Sequence, residues 1–222
     1  MSDDLARAIA AECDRLGIVA SPEAMQRLAA YAASLWSWNE RLNLTRHLDA
    51  EAFVSRDVAD AAGIAPHLAH GERVLDVGTG GGVPGVILAI LRPDLHVELC
   101  DSVAKKARAV AEIVRETGLE IPVHAAAGQA IVVGRPAGSD RFDTLVVRAV
   151  APLSKLLGWF GPVLGSCGRL LVVKGPRWED ERDDARFRGL TRRVAIRRLA
   201  SWPIRGRDHE TVLLEIGPRM GP

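Results

Sequence analysis

Five glycines fall within residues 78–85, directly after Arg73-Val74-Leu75-Asp76-Val77 and just before the apolar run 86–90. Glycine loses more conformational freedom on folding than any other residue, so such a cluster needs a physical reason. Backbone that turns tightly, or lets a ligand approach with no side chain between, supplies one. A strand, a glycine loop and a helix N-terminus together offer unpaired N–H groups to a polar ligand. The spacing narrows the chemistry. Counted from Gly78, the sixth position is Val83, so the dinucleotide fingerprint fails; counted from Gly80, Gly85 meets it but stands late after the strand. No Gly-Lys-Ser/Thr follows, which excludes a P-loop. What remains is Asp76-x-Gly78-x-Gly80-x-Gly82, a form suited to a nucleoside without a pyrophosphate. Asp101 lies 23 residues beyond Gly78, where a carboxylate can accept both hydroxyls of a ribose. Sharing a helix cap with Ser102 is the other reading of Asp101, and the two are compatible.

These residues need a frame to hold them. From Arg73 onward, strands alternate with helices: 73–77 a strand, 84–91 a helix, 96–100 a second strand, then a helix capped by Ser102 and stopped by Gly118. A short third strand at 121–125, a fourth at 142–147, a helix at 153–164 and a fifth strand at 168–174 follow. Residues 126–141 between the third and fourth allow only a short helix. A charged helix and two strands, near 193–199 and at 210–216, complete the chain. The pattern predicts an α/β fold: a Rossmann-like, doubly wound, mostly parallel seven-stranded sheet with a C-terminal antiparallel hairpin. Ligands of such sheets bind beyond the carboxyl ends of the strands, where the glycine loop lies. Residues 1–60 are expected to form a helical extension packed on the core, with 61–222 as the catalytic domain. Within the extension, Ser21 and Pro22 make a favourable helix start, and Trp36 and Trp38 are read as packing side chains.

Composition removes several classes of function. The start is acidic with scattered charges, unlike a signal peptide, and no window approaches 18 uninterrupted apolar residues. Cys13, Cys100 and Cys167 form no Cys-x-x-Cys pair, which argues against structural zinc and a disulfide framework and for the cytoplasm. Net charge is only +1, yet residues 185–207 hold eight arginines and no acid. Two readings stay open for that stretch. It is a phosphate-facing patch, or a solvated face whose arginines pair with the acids of 178–184.

The loop and its acid resemble those of class I S-adenosylmethionine-dependent methyltransferases. A longer match is narrower. WNERLNLT, DVGTGGGVPGVILAI, CDSVAKKARAV, VVRAVAPLSKLLGW and LLVVKG are similar, in order and approximate spacing, to the RsmG (GidB) family, which methylates N7 of a guanine in small-subunit (16S) ribosomal RNA. By that resemblance the cofactor is S-adenosyl-L-methionine. Asp76, Gly78, Thr79, Gly80, Gly82 and Val83 would bind its methionine and adenosine, and Asp101 with Ser102 its ribose. Ala127 and Gly128 would meet the adenine through backbone, and Arg148 would serve both cofactor and target base as the catalytic side chain. An ion pair at the strand end is the other reading of Arg148; with the catalytic one, Arg148→Ala suppresses transfer yet leaves a folded protein. The partner implied is ribosomal RNA or the small ribosomal subunit, with no DNA and no membrane, and the protein a monomer. The chain departs from the family at Ala126, Asp57 and His209, where the resemblance leads one to expect arginine, histidine and arginine. Those departures leave a second reading, a diverged enzyme acting on a small molecule or another RNA site, and a third, a cofactor-binding protein without turnover. Guanine N7 carries a lone pair and no proton, so the leading reading needs in-line positioning and no general base.

Overall fold

The computed structural model describes residues 2–135, 138, 140–206 and 208–219. Strands β1 (Arg73–Val77), β2 (His96–Cys100), β3 (Val123–His124), β4 (Thr144–Arg148), β5 (Arg169–Lys174), β6 (Val194–Pro203) and β7 (Glu210–Pro218) form one sheet, ordered β3-β2-β1-β4-β5-β7-β6. The first five pair in parallel; β7 runs antiparallel to both β5 and β6. The doubly wound, mostly parallel sheet and its antiparallel hairpin are as the alternating pattern predicts; the strand order, which the structure supplies, reverses between β1 and β4, beside the glycine loop. β1, β4 and β5 read as nearly unbroken apolar runs because both faces of a parallel sheet are covered.

Alternation along each strand divides the core. Leu75, Val77, Leu145, Val147, Leu170 and Val172 face Leu153, Leu156, Leu157 and Phe160 of helix α8 (Leu153–Phe160). Val74, Leu99, Val146 and Leu171 share the opposite core with the N-terminal helices. Those are α1 (Ser2–Arg15), α2 (Pro22–Asn39) and α3 (Ala50–Ala52), the last running through a π-helical stretch (Phe53–Val58) into α4 (Ala59–Ile64). In α2 the Ser21 hydroxyl accepts Ala24 N–H, and Leu28, Tyr31, Ala32 and Leu35 fall on the buried face. Trp36 packs edge-on against Phe53 and donates to His47 O. Trp38 donates to Glu116 of α6 (Ala104–Glu116). The extension and the sheet thus share one core, and α4 runs through position 60.

Two local expectations change. Ser102 does not cap α6: Val103 precedes the helix without a side-chain cap, and Asp101 Oδ1 accepts Val103 N–H instead. Aspartate bonding two residues onward satisfies the turn before serine can. The helix predicted for 153–164 ends as α-helix at Phe160 and continues as a 3₁₀ turn over Gly161–Ser166. The remaining helices are α5 (Gly85–Leu91), α7 (Gly128–Gly134) and α9 (Trp178–Phe187). No helix among the described residues is long and apolar enough to cross a membrane.

Candidate functional site

The glycine loop is shaped from beneath. Gly78 and Thr79 N–H both donate to Cys100 O, at 2.8 and 3.0 Å, tying the loop to the end of β2. Asp76 is fully buried, and its Oδ2 accepts from the Thr79 hydroxyl at 2.6 Å and Gly85 N–H at 2.9 Å. Its Oδ1 is buried and has no hydrogen-bond partner among the described residues. Burial pushes the Asp76 carboxyl up to about 6, against the pull of those hydrogen bonds. Asp101 Oδ2 accepts Gly80 N–H at 3.1 Å, so one carboxylate organises both the loop and the start of the helix after β2.

The glycines divide by what surrounds them. A Cβ on Gly85 would lie 2.3 Å from Leu99 Cδ2, one on Gly81 2.8 Å from Leu35 Cδ1, and one on Gly82 2.8 Å from Val86 Cγ2 and 3.0 Å from the Tyr31 hydroxyl. Gly81 and Gly82 are small because helix side chains pack on them, and Gly85 because it lies directly on β1 and β2. Gly78 and Gly80 take left-handed φ values of 69° and 59°, and a Cβ on Gly78 would also strike Val150. Over Gly80 the nearest atom is the loop's own Gly78 O, 4.0 Å away. That is where the chain leaves room. A nucleoside cofactor fits there: open backbone at Gly80 adjoins a carboxylate whose oxygens each take one N–H and keep a second lone pair for a ribose hydroxyl.

A cleft of about 1060 Å³ opens along this loop, lined by Gly78, Thr79, Gly80, Val83 and Arg148 among others. Across from the loop stand residues of the extension, Asn43 to His47 and Arg56, and the ends of β5 and β7. Behind the wall runs a chain of polar contacts. Arg148 Nη2 donates to Asp57 Oδ1 at 2.6 Å and Nη1 to Asp60 Oδ2 at 2.9 Å. His47 Nδ1 lies 2.9 Å from Asp57 Oδ2, and Trp202 Nε1 donates to Asp60 Oδ1 at 3.0 Å. Asp57 and Asp60 are buried, three residues apart, at the end of the π-helical stretch, whose widened turn interrupts an otherwise regular helix beside the site. Burial works against the Arg148 charge, but the two aspartates outweigh it and hold the guanidinium charged. Immediately afterwards the chain bends, with Ala149 at a φ of 55°, a conformation that costs a non-glycine residue about 1–2 kcal/mol.

The structure therefore brings Gly78, Thr79, Gly80, Val83 and Arg148 to one cleft and sets Asp76 and Asp101 behind the loop. Gly82 packs on the extension, and Ser102 is exposed. Ala127 precedes α7, and Gly128 is small because a Cβ would lie 2.9 Å from Val77. Arg148 sits where the resemblance places it, yet both arms of its fork engage buried carboxylates, the ion pair of the alternative reading. Lys174 likewise pairs with Glu181 at 2.7 Å. Half of the arginine-rich stretch is neutralised, while Arg186, Arg192 and Arg193 make no ion pair among the described residues. Arg188, Arg197, Arg198 and Arg205 pair with Asp184, Glu215, Glu210, and Glu12 with Glu51. Only the first of these acids comes from 178–184; Arg207 lies outside the described residues. Residues that the sequence reading missed are Tyr31, whose hydroxyl donates to Gly81 O at 2.9 Å, and Arg46, His47 and Arg56. The signal for Tyr31, Arg46 and His47 was their position near WNERLNLT, and for Arg56 its place next to the family departure at Asp57.

A family model described as rRNA small subunit methyltransferase G matches residues 24–200. A ribosomal RNA small subunit methyltransferase G from Rhodopirellula baltica is 44% identical over 177 residues, covering 80% of this chain and 74% of the relative. One from Escherichia fergusonii is 33% identical over 204 residues, covering 91% and 93%. Among solved structures, M. capricolum TrmK in complex with S-adenosyl-homocysteine aligns with a TM-score of 0.55 at 15% identity, covering 72% of this chain and 68% of that one. A variant of MtNAS in complex with S-adenosylmethionine aligns with a TM-score of 0.56 at 15% identity, covering 87% and 73%. These two show the same fold. With most of its length matched and a glycine-loop cleft at the switch point of the sheet, the chain belongs to the GidB family, the small-subunit ribosomal RNA methyltransferases G.

Proposed function

We propose that this protein transfers a methyl group from S-adenosyl-L-methionine to N7 of a guanine in small-subunit (16S) ribosomal RNA. The observation that carries the reading is the cleft in which the open backbone at Gly80, backed by Asp101, shares a wall with Arg148 in a chain of this family. S-adenosylmethionine, when bound, supplies a methyl on a positively charged sulfur. The chain's part is to hold donor and base in line while excluding water. Gly80 offers backbone without a side chain, and Asp101 takes the ribose. No residue has to remove a proton, because N7 has none. The cysteines are not nucleophiles: all three are buried, and burial pushes the Cys100 thiol up to about 12. Asp57 and Asp60 around Arg148 leave no surplus positive charge behind the wall, which suits a methyl arriving as part of a cation. Arg148 acts on this reading as a positioning residue, its fork fixed by the two carboxylates. The protein works as a monomer in the cytoplasm, on ribosomal RNA or the small subunit and not on DNA or a membrane.

The test is incubation with tritiated S-adenosylmethionine and immature subunits, mature subunits, naked rRNA or protein alone, followed by nucleoside mapping. Label recovered as 7-methylguanosine in small-subunit rRNA is the expected result. Label confined to another nucleoside, to protein or to nothing overturns the proposal.

A further inference from the structure

The cleft is lined by six side chains that carry or can carry positive charge: Arg46, His47, Arg56, Arg148, Lys174 and His209. Their partners sort them. Arg148 is held by Asp57 and Asp60, Lys174 by Glu181 and Ala151 O, and His47 by Asp57. Asp60 and Glu181, the carboxylates lining the cleft, are thereby taken. Arg46 and Arg56 differ. Neither guanidinium makes a hydrogen bond or ion pair among the described residues, and Arg56 acts on Asp60 only through space. Arg46 is exposed and Arg56 half-buried.

Both are nevertheless held on braced backbone. Asn39 Oδ1 accepts Leu44 and Thr45 N–H at 2.7 and 2.9 Å, and Thr45 Oγ1 accepts His47 N–H at 3.0 Å. His47 O in turn accepts Trp36 Nε1–H at 2.7 Å. Arg46 therefore stands between two tethered neighbours. Arg56 adjoins buried Asp57 in the π-helical stretch. Two unpaired guanidinium forks on a braced rim, over a cleft whose carboxylates are already committed, match a polyanion's phosphates, which arginine grips with paired N–H groups.

We infer that Arg46 and Arg56 form the phosphate-gripping rim of the cleft and hold the RNA backbone beside the nucleotide that enters it. The inference rests on the RNA reading above, and adds an electrostatic contact in the N-terminal segment to whatever the arginine-rich residues 185–207 supply. Transfer then needs the extension for substrate as well as for packing.

The experiment measures binding of a 16S rRNA transcript across salt, from about 50 to 200 mM. Wild type, Arg46→Ala/Arg56→Ala, Arg46→Lys/Arg56→Lys and Arg197→Ala/Arg198→Ala are compared after melting curves confirm each is folded. Losing two phosphate contacts should take roughly 1.4–1.8 off the slope of log K against log salt. The lysine pair should keep most of the slope, and the Arg197/Arg198 pair all of it. KM for RNA should rise in the first variant, with kcat and calorimetric S-adenosylmethionine affinity nearly unchanged. An unchanged slope in Arg46→Ala/Arg56→Ala, or an equal loss in the Arg197/Arg198 control, overturns the inference and leaves the RNA reading standing. A wild-type protein with no RNA affinity overturns both.

Discussion

Removing Arg148 should cost this protein stability before it costs activity. Methionine at 148 keeps most of the volume and deletes the charge. Asp57 Oδ1 and Asp60 Oδ2 then lose donors at 2.6 and 2.9 Å, while each keeps one other partner, His47 and Trp202. Breaking a buried ion pair from one side leaves an uncompensated charge, typically costing about 3–5 kcal/mol. For a domain of this size that corresponds to a fall in Tm of roughly 6–20 °C. The pH dependence identifies the cause. Burial already raises the Asp60 carboxyl, and Arg148 opposes the rise. Without Arg148 it rises further. A folded-state pKa above the unfolded value contributes stability at low pH that is lost as pH rises through it. The deficit of Arg148→Met should therefore be widest at neutral pH and narrow on acidification. Adding Asp57→Asn and Asp60→Asn should restore a large part of it. Urea midpoints for wild type, the methionine variant and the triple variant at two pH values decide the matter. A methionine variant that melts with wild type, or whose deficit ignores both pH and the added asparagines, refutes the reasoning and returns Arg148 to the purely catalytic role in which its loss leaves the fold intact.

Asp76→Asn isolates a second buried carboxyl. Its folded value of about 6 against an ordinary 3.8 means wild type loses roughly 3 kcal/mol from this group as pH climbs through that window, so the urea-derived stability difference should shift by about that amount in favour of asparagine between acid and neutral pH. Tyr31→Phe should leave Gly81 O unsatisfied, costing about 1–3 kcal/mol, and weaken S-adenosylmethionine binding severalfold by calorimetry although residue 31 lies in the extension; unchanged affinity would separate the helix from the loop. Gly80→Asp should abolish cofactor binding in a folded protein. Gly85→Ala should instead lower the melting point, because its Cβ would meet Leu99 at 2.3 Å.

The succession of strands and helices, the parallel sheet, the terminal hairpin and the location of the glycine loop were all legible in the sequence, because they follow from short-range periodicity and from what glycine permits; the spatial order of the strands was not. The place of Asp101 beside the loop was legible for the same reason: a strand end at a set distance from a glycine loop is a local property of the chain. The family, too, was carried by contiguous motifs. Local pattern could not say which glycine is left open above its backbone. Gly81, Gly82 and Gly85 differ from Gly80 only in what packs on them, and that includes Tyr31 and Leu35, some fifty residues away. Nor could it distinguish a committed cation from a free one. Eight arginines in residues 185–207 looked like the polyanion surface, yet β7 and the N-terminal helices supply carboxylates to most of those whose partners are seen. Arg46 and Arg56, to which the sequence assigned no role, are the arginines over the cleft left unpaired among the described residues. Pairing is decided by distance in space, where charges a hundred residues apart in the chain meet at three ångströms. Arg148 is the clearest instance: the sequence placed it at the site, and only the fold put Asp57 and Asp60 around it.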